Sequence, residues 1–298
     1  MSVPAATPDR LARFAVSKRR RRTDRFARGM LLAATLIALV PLVLIVYYLL
    51  KKGLGAWSVN FFTTDPTGST FFGGSSIGGI KSAILGTIEM VAVASAIAIP
   101  IGLGVALWLV EYGRPTWFAH TVRFFVDVLT GVPSIVFGLF IYIALILGTG
   151  SSYAGIKGSL ALSLLMLPVV IRSAEVILQL VPGALRESAL ALGAPRWRVI
   201  FRVVLPTALT GMLTGVLLAV ARAAGETAPL LFTAGHTNKT NFDLSQFMNS
   251  LPYQIYNDVT SPTTAVVNRA WGAALTLVTM ILILNLIARL VARRTRLA

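Results

Sequence analysis

The sequence predicts an all-α membrane protein, a polytopic bundle of six transmembrane helices, and three observations carry that prediction. Hydrophobic residues make up 56% of the chain and charged residues 13%, with a mean hydropathy of +0.78. Soluble domains hold about 25% charged residues and roughly 45–50% apolar ones. The apolar residues gather into stretches long enough to cross a hydrocarbon core, which takes about 20 residues at a rise of about 1.5 Å each. Lys and Arg, in contrast, are spread unequally over the segments between those stretches.

The six stretches are 29–50, 83–110, 131–148, 158–180, 207–234 and 268–292. The first follows Lys18-Arg19-Arg20-Arg21-Arg22, as a secretory signal would. Its apolar run exceeds the roughly 7–15 residues of such a signal and no small-x-small cleavage site follows, so it reads as an uncleaved anchor. Residues 1–28 then form a basic tail suited to anionic lipid. The loop 51–82 carries Phe61-Phe62, Asp65-Pro66, Phe71-Phe72-Gly73-Gly74 and the turn-rich Ser75–Gly79. Residues 83–292 form the core, followed by a short tail, 293–298. Pro41, Pro100 and Pro168 fall inside apolar stretches, where neighbouring helices can re-satisfy the backbone. The loop 235–267, with Asn238, Asn241, Gln246, Pro252, Tyr253 and Pro262, is too small to hold a core of its own.

Orientation follows from the basic residues. Nine lie before residue 29, two in 111–130, five in 172–206 and four from residue 289 on. The alternate segments hold three in 51–82, one in 149–157 and two in 235–269. Positive charge stays inside, which places both termini in the cytoplasm.

Several function classes are disfavoured. A net charge of +16 and a pI near 11.2 fit nucleic-acid binding only on a soluble core with a basic face. Here the charge crowds the N-terminus and short loops. The chain has no cysteine, hence no disulfide, iron–sulfur cluster or thiolate zinc site. His120 and His236 fall on opposite sides of this topology, so no histidine metal site is expected. No Ser/His/Asp set or spaced carboxylate pair points to an enzyme. A phosphate-cradling loop is also missing: Gly150…Gly155-Ile156-Lys157-Gly158 has one residue too many before the lysine and lies outside.

The longest patterned inside segment runs from Glu187 to Pro206, within the loop 182–206. It reads as a short helix opened by Glu187 near Pro182-Gly183, broken at Gly193 and restarted by Pro195. The second helix, 195–204, sets Arg198 and Arg202 on one face, leaves Trp197, Ile200 and Val204 for the bilayer or bundle, and is ended by Pro206. Glu187, Ala189, Gly193, Val203, Leu205 and Pro206 resemble the EAA loop of ABC importer permeases: Glu-Ala-Ala, three residues, Gly, nine residues, an aliphatic, one residue, Leu-Pro. Ser188 stands for one alanine as a small replacement, and Val203 is the aliphatic. The resemblance implies the type I ABC importer permease (MetI-like) fold, a loop seated in a cleft of an ATPase subunit, and ATP and Mg²⁺ bound by that subunit and not by this chain.

Charges inside membrane spans are costly and mark function. The fourth and fifth stretches carry Arg172, Glu175, Arg222 and Glu226. Guanidinium offers a planar donor fork matched to tetrahedral oxyanions. The two acids either balance those arginines when no ion is present or form inter-helix ion pairs. Counting along the helices, Arg172 lies about 21 Å below one membrane face and Arg222 about 23 Å above the other, so their depths differ by about 14 Å in a 30 Å core. That spacing makes them one site only with tilt, and otherwise two successive stations.

Arg222-Ala223-Ala224-Gly225-Glu226-Thr227-Ala228-Pro229-Leu230-Leu231-Phe232-Thr233 is similar to the fifth-helix signature of PstA-type permeases of bacterial phosphate importers. Gly131–Leu139 (GVPSIVFGL) resembles the third-helix motif of the same permeases, and Gly79-Ile80…Ala83–Thr87 suits the entry to the shared core; the likeness spans about residues 70–292. It implies phosphate import by alternating access across the plasma membrane of a bacterium. Its expected partners are a PstC-type second permease as heterodimer, two PstB-type ATPases and an extracytoplasmic PstS-type binding protein. Arg172 and Arg222 become phosphate-pathway candidates, with Glu226 and Glu175 beside them. A permease for sulfate or molybdate is the alternative within the superfamily. A secondary transporter predicts broken inverted repeats and no ATPase dock.

Overall fold

The computed structural model describes residues 18–67, 77–113 and 116–294. The N-terminal part of the basic tail (1–17), the Phe71–Gly74 and Ser75-Ser76 part of the first loop, and residues 295–298 of the C-terminal tail lie outside the described residues. Those described are helical, with no strand among them and one isolated antiparallel bridge between Pro66 and Gly78.

The helices are α1 (Lys18–Ala56), α2 (Val59–Thr63), α3 (Lys81–Leu107), α4 (Trp117–Gly131), α5 (Ser134–Ile141), α6 (Gly155–Leu180), α7 (Gly183–Ala191), α8 (Arg196–Val199), α9 (Leu205–Ala224), α10 (Ala228–Thr233), α11 (Leu251–Val259) and α12 (Thr264–Arg294). π-helical turns extend α3 over Trp108–Tyr112 and α5 over Tyr142–Leu147, and join α8 to α9 over Ile200–Val204. Five helices are long and apolar enough to span a bilayer, and a bent pair makes up to six.

Residues 1–51 and 52–298 form separate compact units. What is described of the first is α1 up to Lys51, whose apolar window is wholly exposed. This helix begins at Lys18, so Arg19–Arg22 are exposed helical residues continuous with the anchor.

In the second unit, α3 packs along α6, and α9 lies against both. Met90, Ala94 and Ala98 of α3 bury against Leu162, Met166 and Val170 of α6 and Ala219 and Ala223 of α9. A second cluster, at the end bearing residues 183–204, joins Ala106 and Leu109 to Ala174, Leu178, Val199 and Met212. A third, around Phe61, Ile80, Ala83, Leu251 and Ala273, closes the opposite end. In a membrane, close backbone approach replaces the hydrophobic effect between helices. At Gly215 a Cβ would lie 2.3 Å from Ser173 Oγ, so α9 and α6 meet there at a separation open to glycine alone.

Three expectations are corrected. The third stretch, 131–148, is the second arm of a bent pair, Trp117–Gly131 followed by Ser134–Leu147, and not a straight span of its own. Pro133 forces Val132 out of helical geometry (φ −71, ψ 130), so α4 ends, α5 opens, and the two arms meet at 103°. The fifth stretch, 207–234, breaks at Gly225-Glu226-Thr227, after which Pro229 sits in the first turn of α10. Pro206 does not end the helix before it. Placed in the first turn of α9, where its missing N–H is no loss, it lets α8, the π-turn and α9 run on from Arg196 to Ala224.

Candidate functional site

Two regions hold the residues of interest. The first is the segment 182–206. Val181 is extended ahead of Pro182 (ψ 124), which stops α6, and Pro182 caps α7. Helix α7 therefore opens at Gly183, with Glu187 in its middle and not at its start. Gly193 closes it in left-handed geometry (φ +79), donating its amide to Leu190 O at 2.9 Å, while Ala194 N reaches Ala189 O at 3.3 Å. Pro195 then caps α8. The outward face is apolar and uncovered: Leu185, Leu190, Trp197 and Phe201 are exposed and Leu192 is 89% exposed, with Glu187, Arg198 and Arg202 beside them. Ile200 and Val204 turn into the bundle.

The second region is a set of charges on α4, α6 and α9. Glu175 is buried, 2% exposed, and its carboxylate receives Arg123 Nε at 2.6 Å, Arg172 Nη1 at 3.1 Å and Gln179 Nε2 at 3.3 Å. Two guanidiniums thereby offset a desolvation cost of several kcal/mol that a lone buried carboxylate carries. Arg172 also lies 3.6 Å from Asp127 and keeps 48% of its side chain exposed. Arg222, 49% exposed, ends α9 and pairs with Glu226 at 3.4 Å; Glu226 stands in the break after the helix, not on it. The structure thus brings Arg172 to Glu175 and Arg222 to Glu226. No ion pair joins the two groups among the described residues. Two cavities lie elsewhere: about 590 Å³ around Asn60, Asp65 and Asn268, and about 580 Å³ between apolar faces of α3, α9 and α12.

A buried polar network caps the end carrying α11. Arg269 grips Asp258 through Nε and Nη2, both at 2.7 Å, and donates to Ile77 O; Gln254 bridges Asp258 to Asn249. In the segment before α11, the hydroxyl and amide of Ser245 hydrogen-bond Asp243 and hold its carboxyl below the usual range.

A family profile described as binding-protein-dependent transport system inner membrane component matches residues 98–297. The phosphate transport system permease protein PstA of Mycobacterium leprae is 43% identical over 278 residues, covering 91% of this chain and 89% of that one. The PstA of Yersinia pestis is 39% identical over 91% and 90%. The chain belongs to this permease family, in its PstA branch. Among solved structures, a bacterial alginate ABC transporter superposes at a TM-score of 0.65 (15% identical, 92% and 96% covered). The inward-facing MetNI methionine ABC transporter gives 0.60 (20% identical, 72% and 94% covered). At such identities they bear on the fold alone, and they place this PstA-type chain in the type I importer permease architecture.

Glu111, Arg123 and Asp127 were not among the expected site residues, because charges removed residues 111–130 from the apolar stretches, and Arg186 was not, because its partner Glu111 is 75 residues away. The spacing Ala119, Val122, Val126, one face of a helix, was the available sign of α4. Glu89 on α3 was also passed over; its Oε2 is buried without a hydrogen-bond partner.

Proposed function

We propose that this chain is one half of the membrane pathway of an ATP-driven phosphate importer, in which it moves the ion by alternating access and a separate subunit hydrolyses ATP. The observation that carries the reading is the kinship over nine-tenths of the chain with phosphate-transport permeases, running through Arg222 and Glu226. Physical support comes from Arg172 and Arg222, half-exposed guanidiniums in otherwise apolar helices, which attract an oxyanion and lose their acidic partners to it. In this reading both termini are cytoplasmic, and the two arginines act as successive stations, since each sits in its own ion-pair group. The partners are a PstC-type permease, two PstB-type ATPases that bind ATP and Mg²⁺, and a PstS-type protein outside. The complete complex in vesicles should take up labelled phosphate with ATP inside, and excess sulfate or molybdate should leave that uptake unchanged. Competition by either oxyanion at equal concentration would replace phosphate as the cargo.

The exposed apolar face of α7 and α8, rimmed by Glu187, is the surface that receives the ATPase in this reading. Glu187→Lys reverses a charge in the middle of α7, and a rim charge facing its partner contributes on the order of 1–3 kcal/mol. Co-purification of the ATPase should fall about tenfold, at 1.4 kcal/mol per decade. Normal co-purification would place the dock elsewhere.

A further inference from the structure

Glu187 and Gly193 face outward from the docking segment, whereas the neighbouring Arg186 turns back into the bundle. Its guanidinium holds Glu111 Oε1 through Nε at 3.1 Å and Nη2 at 2.9 Å, with both side chains largely buried, 17% and 13% exposed. The same group donates from Nη1 to Val181 O at 2.6 Å and from Nη2 to Leu178 O at 2.9 Å. One rigid fork therefore ties α7 to the last carbonyls of α6 and to the π-turn that ends α3. That π-turn is gripped a second time by Arg123, whose Nη2 donates to Leu109 O at 2.9 Å while its Nε meets Glu175 at 2.6 Å. Glu175 in turn holds Arg172. Two ion-pair groups, Arg186–Glu111 and Arg123–Glu175–Arg172, are thus joined through the backbone of one π-turn, and the line leads from the docking segment to a guanidinium of the candidate phosphate path.

A pair of apolar side chains would join α7 to α3 without desolvating two charges, but would not fix their orientation. A two-pronged guanidinium does fix it. A π-turn, wider and less stable than the α-helix around it, is where a helix is most easily re-pitched.

We propose that Arg186 and Glu111 form the joint through which displacement of the docking segment re-pitches the π-turn of α3 and, through Arg123 and Glu175, shifts Arg172. Arg186 is then a positioning residue for transport. The inference rests on residues 183–206 being the ATPase dock.

The test uses the complete complex in vesicles, carrying Arg186→Gln, Glu111→Gln, both together, or Arg186→Lys. Retained ATPase, ATP hydrolysis and phosphate moved per ATP are measured for each. Retention should match the unaltered complex, while phosphate per ATP falls about tenfold or more in either neutral variant, a coupling energy within the usual range for contacting residues. The double variant should be no worse than the poorer single one, because the two residues act as a unit, and Arg186→Lys, which keeps the charge without the fork, should fall between the unaltered complex and Arg186→Gln. Multiplicative losses in the double variant would overturn the joint. So would hydrolysis and uptake falling together at a constant ratio, or loss of the chain from the membrane in all four variants. Should Arg186→Gln uncouple the complex while Glu187→Lys leaves the ATPase bound, Arg186 stands as a positioning residue for transport, and the docking reading fails together with the route that starts from it.

Discussion

Replacing Arg222 by Gln is expected to lower phosphate uptake about 30-fold or more while the complex still assembles. Arg222 lies in the last turn of α9, is 49% exposed and meets Glu226 at a long 3.4 Å, so little packing is lost with its charge. Its removal strips the path of a guanidinium and also leaves Glu226, 17% exposed, as an uncompensated negative group facing an anion. A charge-assisted hydrogen bond to an ion is worth about 1.5–3 kcal/mol, or roughly 10- to 150-fold, and more than one is lost with the guanidinium. Arg222→Lys keeps the charge without the planar fork and should fall between the two. Glu226→Gln should be tolerated within about threefold, since it removes only the competing acid. Uptake of labelled phosphate in vesicles measures all three. Undiminished uptake by Arg222→Gln would remove Arg222 from the path.

Glu175→Leu should destabilise the chain by about 3–5 kcal/mol, the usual result of deleting one side of a buried ion pair. Arg123, with 21% of its side chain exposed, would then keep one recorded hydrogen bond, to Leu109 O. Pairing the change with Arg123→Met should recover most of the loss, because apolar residues of similar volume often replace a buried pair without cost. Thermal unfolding of the purified complex reports the effect. A single variant as stable as the unaltered chain would show that the Glu175 cluster contributes nothing to the fold.

Much of this was legible in the chain and some was not, for physical reasons. Segment length and hydropathy found the long straight helices α3, α6 and α12, since a bilayer imposes a length that composition records. The same test missed α4, whose Arg123 and Asp127 serve an internal ion-pair network and lower its apparent hydropathy. Spacing revealed the two short helices of residues 183–199 and the glycine at the turn between them, because both depend on local backbone geometry. It did not reveal Arg186–Glu111, a pair 75 residues apart in sequence. Pro206 misled for a related reason: a proline ends a helix from inside and starts one from its first turn, and the π-turn before it supplied that fresh start.

The unbroken run from Arg196 to Ala224 touches α6 closely at Gly215. At about 1.5 Å per residue, Gly215 stands about 28 Å from Arg196 and about 10 Å from Arg222. A rod pivoting at that contact has arms in a ratio near three to one, so a 3 Å excursion of the Arg196 end becomes about 1 Å at Arg222. The helix is geared down. In the proposed transport cycle it would convert a coarse stroke at the Arg196 end into the adjustment of about 1 Å on which the grip of Arg222 on an oxyanion depends.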